Sequence, residues 1–241
     1  MSSATALGQP AGGITCFYEV NPTLPLIRRG TVEAVGTLLL MFIVTAGAAL
    51  PSIQPPARVT WDLAAALAGP AALVGLVVAF GAVSGGHFNP LITILQWLLR
   101  ERTSVCTLTY IGAQTAGAVT GAWLAGEVFG LKRSVLVAAE RSPWVAGEII
   151  ATAGLMVVIF GCARSGRVET GPFAVGTWLS ATAIAVPNAY VNPALTVGAL
   201  AAAGPAALSG AGVLHHVPSQ FLGALLAFGV IRTILGSRLG R

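Results

Sequence analysis

The sequence predicts an all-α membrane protein in which six transmembrane helices and two re-entrant half-helices form an inverted repeat. Three observations carry this. The 241-residue chain is 55% hydrophobic and only 9% charged, with a mean hydropathy of +0.82, far too apolar for a soluble domain of its length. Charged residues and Pro/Gly clusters divide it into apolar runs of two lengths, long and short. The same short segments also recur in the same order in the two halves of the chain.

A helix needs roughly 20 apolar residues to cross a bilayer. Runs of this kind lie near 29–50, 63–84, 104–125, 144–163, 171–187 and 217–236. The runs at 89–99 and 192–203 are too short to cross, and such segments survive at membrane depth only where protein or a water-filled cavity satisfies their backbone. Residues 1–28 lack the basic start and continuous apolar core of a secretory signal, and are expected to form a retained, weakly ordered cytoplasmic tail. Residues 237–241 are expected to form a second cytoplasmic tail, and 29–236 a single membrane domain.

Within that domain, Glu33-Ala34-Val35-Gly36-Thr37 in the first span is echoed by Glu148-Ile149-Ile150-Ala151-Thr152 in the fourth. Asn89-Pro90 is echoed by Asn192-Pro193, and Gln114-Thr115-Ala116-Gly117-Ala118 by Gln220-Phe221-Leu222-Gly223-Ala224. The repeats are therefore placed at about 29–126 and 143–236. With an odd number of spans in each, the second enters the membrane from the opposite side.

Orientation follows from the 13 basic residues. Arg28, Arg29, Arg100, Arg102, Arg164, Arg167, Arg232, Arg238 and Arg241 fall on one side, against Arg58, Lys132, Arg133 and Arg141 on the other. Both termini are then cytoplasmic, and Trp61 and Trp144 stand at outer helix ends, where indoles favour the interface. Trp123 and Trp178 read as buried packing residues.

Several function classes lose support. The net charge of +5 is scattered at the ends of apolar runs rather than gathered into a stripe, so nucleic acid is not an expected partner. Cys16, Cys106 and Cys162 are odd in number and widely spaced, which implies neither a disulfide framework nor a metal site, and Cys16 reads as a spectator. His215-His216 reads as part of a solvated loop before the last span, since it has no Cys, Asp or Glu nearby to complete a metal site. No nucleotide-binding loop, nucleophile elbow or pair of catalytic carboxylates appears, so neither enzyme activity nor a cofactor is expected. Gly112, Gly117, Gly121 and Gly223 have spacings suited to close helix packing.

The chemistry concentrates at the Asn-Pro pairs. Asn is a strong N-cap and Pro suits the first helical position, so Asn-Pro is a helix-start signal. Alone it is weak, as Asn21-Pro22 in the tail illustrates, but Asn89 and Asn192 occupy equivalent places in the two repeats. If the repeats are inverted, the half-helices meet by their N-termini near the midplane and aim two positive dipole ends at one spot. Their caps would offer amide donors to a passing neutral molecule, while the field repels cations and orients water against proton hopping. The expectation is a channel for small neutral solutes.

Ser84-Gly85-Gly86-His87-Phe88-Asn89-Pro90 and Asn192-Pro193-Ala194 resemble the two pore loops of the aquaporin and aquaglyceroporin (major intrinsic protein) family. Glu33 and Glu148 resemble its buried helix-one and helix-four glutamates, and Tyr110-Ile111-Gly112-Ala113-Gln114 its third-helix signature. The resemblance implies the aquaporin fold in a multi-pass protein of a bacterial inner membrane. It also implies a homotetramer in the lipid bilayer with one pore per subunit, and Glu33 and Glu148 supporting the re-entrant loops.

Two departures matter. The first box ends in Leu91 instead of alanine, and Leu195 stands where the family places an arginine directly after the second box. The midplane set is then Asn89, Pro90, Leu91, Asn192, Pro193 and Ala194, and the remaining filter positions, by the family's spacing, are Gly69, Ser180 and Ala189 beside Leu195. None is aromatic, histidine or charged, which points to a wide, weakly polar filter passing glycerol-like polyols, metalloid hydroxides such as arsenite, and water. Similar channels without the arginine are associated with arsenic resistance. His87 reads either as a pH gate at the cytoplasmic mouth or as a neutral residue bonding the loop backbone. Two other functions remain open at this stage: an ion or proton-coupled transporter using Glu33 and Glu148 as a relay, and a structural membrane protein whose pore is plugged by residues such as Leu91 or Leu195.

Overall fold

In the computed structural model, which describes residues 16–53, 58–132, 142–167, 169–186 and 188–235, the described chain is helical without a strand. The helices are α1 (Leu26–Ile53), α2 (Arg58–Ser84), α3 (Pro90–Leu98), α4 (Ser104–Val128), α5 (Ser142–Arg164), α6 (Gly171–Ala185), α7 (Pro193–Gly198) and α8 (Gly210–Thr233), with a 3-10 turn at Gly204–Ala206. By length and composition α1, α2, α5 and α8 can each cross a membrane. α4 has 25 residues, but Thr, Gly and Gln dilute its apolar run, and α6 is only 15 residues long. Both complete the bundle, α4 against α1 and α6 against α2 and α5.

The two halves are built alike. α1 packs on α4 as α5 packs on α8, and the half-helices α3 and α7 lie against α4 and α8 respectively and touch each other. Small residues permit the tightest crossings. A Cβ on Gly117 or Gly121 would strike the α1 backbone at Ala34 and Leu38, and one on Gly223 would stand 2.5 Å from Ile149 O. Gly112, expected to behave similarly, meets nothing within 4 Å.

The burial pattern is that of a protein in an apolar solvent. Val105, Leu108, Ile150 and Leu214 are 66–74% exposed, whereas Glu33, Gln114, Thr93, Glu148, Gln220 and Thr196 are at most 1% exposed. In a bilayer, outward apolar side chains meet lipid, and polar groups must find partners inside.

The structure differs from the sequence reading at several places. α8 begins at Gly210, seven residues before the expected start, because Ser209 caps it by accepting from Gly212 N at 3.0 Å and Pro218 is accommodated inside the helix. His215 and His216 are therefore helical and not in a solvated loop. α7 is a six-residue helix followed by turns, shorter than the run at 192–203. Trp178 is packed as expected, its indole donating to Ala151 O at 3.0 Å, but Trp123 is 54% exposed. Residues 16–20, assigned to a weakly ordered tail, dock on the bundle with Cys16 and Phe17 buried. Residues 1–15, the side chains of Trp61 and Trp144, and Arg133, Arg141, Arg238 and Arg241 lie outside the described residues.

Candidate functional site

The two half-helices start at Asn caps, as the Asn-Pro dipeptides require. Asn89 Oδ1 accepts from Leu91 N at 3.0 Å, and Asn192 Oδ1 from Ala194 N at 3.0 Å and Leu195 N at 3.4 Å. Each side-chain amide then crosses to the other repeat. Asn89 Nδ2 donates to Val191 O at 2.9 Å and Asn192 Nδ2 to Phe88 O at 2.8 Å, so each asparagine binds the carbonyl just before its counterpart. Phe88 and Val191 reach this geometry with φ of +47° and +48°. That region costs a bulky or β-branched residue about 1–3 kcal/mol, and here it aims the two carbonyls at the opposite loop. Each asparagine side-chain nitrogen carries two protons, and one of them has no such acceptor. Both residues line the central cavity, so these donors face it.

The strained loops are held from behind by two matching buried carboxylates. Glu33 Oε1 accepts from Ser84 Oγ at 2.6 Å and His87 N at 3.0 Å, and Oε2 from Phe88 N at 2.8 Å and Gln114 Nε2 at 2.7 Å. Glu148 accepts from Tyr190 N at 3.0 Å, Val191 N at 2.8 Å and Gln220 Nε2 at 2.5 Å. Gln114 also donates to Thr93 Oγ1 at 3.2 Å, and Gln220 to Thr196 Oγ1 at 2.8 Å. Thr93 and Thr196 stand four residues after their asparagines, so each repeat ties carboxylate, glutamine, threonine and loop into one unit. The glutamines were visible as part of the repeat; the threonine spacing went unread.

A cavity of about 470 Å³ runs past the asparagines. Gly69 of α2, Ala189 and Leu195 are on its wall, together with Asn89 and Asn192. Ser180 is not: its hydroxyl donates to Gly176 O at 2.8 Å, and α6 instead turns Val175, Leu179, Thr182, Ala183 and Val186 inward. Those five residues follow a helical i, i+3, i+4 stripe that misses position 180. Leu91 and Ala194 are buried behind the asparagines and do not reach the cavity, nor do Pro90 and Pro193, which open their helices. Among the described residues Asp62 is the one formally charged residue on the wall, and no arginine or lysine lines it. Neither Glu33 nor Glu148 reaches it.

His87 lines the cavity but has both ring nitrogens engaged. Nδ1 is 2.8 Å from Thr93 Oγ1 and Nε2 is 3.1 Å from Phe17 O, which suits a neutral ring protonated at Nε2. Arg102, 3.5 Å from Nε2, opposes a second positive charge there. Of the two readings of His87, the geometry matches the neutral residue bonding the loop backbone. Among the described residues no group of three His, Cys, Asp or Glu side chains could hold a metal.

This arrangement of six helices around two Asn-capped half-helices recurs in known proteins. The Major intrinsic protein family model matches residues 21–188. The aquaglyceroporin AqpS of Rhizobium meliloti (strain 1021) is 31% identical over 217 residues, covering 87% of this chain and 91% of that protein. Aquaporin Z of Brucella melitensis biotype 1 is 28% identical over 229 residues, covering 88% and 99% respectively. Among solved structures, the aquaglyceroporin from Plasmodium falciparum superposes with a TM-score of 0.71 at 16% identity, over 88% of this chain and 97% of that one. The chain belongs to the major intrinsic protein family and has the aquaporin fold, that of membrane channels for water and small solutes.

Proposed function

We propose that the protein is a passive channel for small neutral solutes with an arginine-free filter, passing glycerol-like polyols and metalloid hydroxides such as arsenite as well as water. The observation that carries this reading is Leu195 on the cavity wall, directly after the second Asn-Pro-Ala box, with no cationic side chain on that wall among the described residues. Gly69, Ala189 and Leu195 leave a pore wall of small or flexible apolar groups, to which α6 adds the hydroxyl-bearing Thr182. A neutral molecule carrying several hydroxyls can exchange its water for the free amide protons of Asn89 and Asn192, whereas an ion loses more hydration than two donors return. The aquaglyceroporin name of the Rhizobium meliloti relative agrees with a solute larger than water.

Two coupled details belong to the same proposal: a homotetramer with one pore per subunit, and both termini cytoplasmic in a bacterial inner membrane. The test is stopped-flow light scattering on proteoliposomes with water, glycerol and arsenite. Leu195→Arg is expected to cut glycerol and arsenite flux about tenfold, equivalent to ~1.4 kcal/mol of barrier, with water flux largely kept. An unchanged solute profile in that variant would defeat the filter assignment. A proton-coupled transporter is disfavoured because Glu33 and Glu148 are saturated with loop hydrogen bonds away from the cavity.

A further inference from the structure

The cavity stops short of one face of the bundle. Its wall on α1 begins at Leu40, on α2 ends at Val77 and on α5 ends at Ile159, although these helices reach Leu26, Ser84 and Arg164. All three missing stretches lie toward the end where the chain begins. Phe17 occupies that place: it is 3% exposed and belongs to the cavity wall.

Its seat is built by contacts from several elements. Phe17 adopts φ +64°, a conformation an aromatic residue rarely holds without compensation, and this turns its carbonyl to His87 Nε2 at 3.1 Å and Gln96 Nε2 at 2.8 Å. Glu19 pairs with Arg29 Nη1 at 2.6 Å and Arg102 Nη2 at 2.9 Å. Tyr18 Oη donates to Glu101 at 2.5 Å, and Val20 N to Ala82 O at 2.9 Å. Cys16 lies against Gly171 at the start of α6, beside Cys162 of α5. Apart from Cys16 and Phe17 these ties are polar, and the ion pairs are largely buried, with Glu19 10% and Arg102 4% exposed, so removing the carboxylate leaves the guanidinium without its charge partner and frees the segment.

We propose that residues 16–20 form a stopper that closes the inner end of the pore, with Phe17 as the size-limiting side chain and the Glu19 ion pairs as the hold that must be released. The proposal rests on the channel reading above. With the segment docked, a solute that has passed the asparagines meets the Phe17 ring; with it withdrawn, the unused inner lengths of α1, α2 and α5 become the vestibule.

The test reads access and flux separately. Val77, the last α2 residue on the cavity, is replaced by Cys in protein whose three native cysteines are Ser. A membrane-impermeant maleimide is then applied from the N-terminal side. Phe17→Ala and Glu19→Gln, each in that background, are expected to label several-fold faster than the parent, and to carry several-fold more glycerol in proteoliposomes. Equal labelling rates in the parent and both variants would overturn the stopper, whatever the flux. Faster labelling with no flux in any protein would uphold the stopper and defeat the channel reading.

Discussion

Glu148 accepts from two loop N–H groups and from Gln220, so both its oxygens are committed to the loop that carries Asn192. A glutamine there converts one acceptor into a donor facing Tyr190 N and Val191 N, and a buried donor left without an acceptor costs about 1–3 kcal/mol. Glu148→Gln is therefore expected to lose about 2 kcal/mol, seen as a lower unfolding midpoint in detergent, while the flux that remains stays indifferent to a pH gradient. Flux that vanished together with a pH drive in a fully stable variant would instead assign the carboxylate to a proton relay. Cys16 makes the opposite kind of prediction. Burial, with the neighbouring Cys162 adding to it, pushes its thiol from 9.0 up to about 12. The folded value lies above the unfolded one, so the stabilisation is fully present below pH 9.0 and fades only as pH rises toward 12. Cys16 should accordingly resist iodoacetamide below pH 9.0 in the folded protein and react once the protein is denatured; equal rates in the two states would mean that the segment is not docked.

At the scale of elements, the crossings of α1 with α4 and α5 with α8 depend on glycines that admit a neighbouring backbone. Gly121→Val would press a branched side chain into Leu38 of α1 and is expected to cost about 3 kcal/mol or prevent assembly, since overpacking alone costs 1–3 kcal/mol. Gly112→Ala, with open space around it, should leave the thermal midpoint in detergent unchanged or slightly raised. A matching loss in both variants would show that close approach is not what separates these positions, since helix propensity favours both replacements over glycine. The sequence revealed such elements where one local signal decided them. Asn-Pro and a short apolar run defined α3, and the echo of Glu33 in Glu148 found the loop supports. It misled where tertiary packing overrode a local signal. The last apolar run reads as starting at 217, yet Ser209 begins α8 two turns earlier. Counting back from Asn192 gave Ser180 because the count treats helix and loop as one rigid ruler, whereas the stripe facing the cavity is set by how α6 rotates against α2 and α5. Residues 16–20 carried no pattern at all, since their order comes from Arg29, Gln96 and Arg102, which are distant in sequence and bind them one group at a time.

For the whole molecule, the question is what keeps ions out of a pore without a filter arginine. The N-termini of α3 and α7 converge on Asn89 and Asn192, each bringing a partial positive charge of roughly half an electron at most, and less for so short a helix as α7. Against this, Asp62 is the one formal charge on the wall among the described residues, and it stands at the far end of α2 from Val77. The midplane is thus where a cation or a hopping proton meets opposition. Asn89→Asp tests this directly. Aspartate caps a helix as well as asparagine does, so Leu91 N keeps its acceptor, but a full negative charge now cancels the converging dipoles. It also places an oxygen against Val191 O where an amide nitrogen donated from 2.9 Å, at a cost of about 1–3 kcal/mol. Because Phe17 at the inner end could mask a leak, the comparison belongs in the Phe17→Ala background. There, dye-reported proton and sodium entry into proteoliposomes should be near the lipid baseline with Asn89 and rise well above it with Asp. A leak of equal size in both would mean that the barrier to charge lies elsewhere along the pore than at the two asparagines.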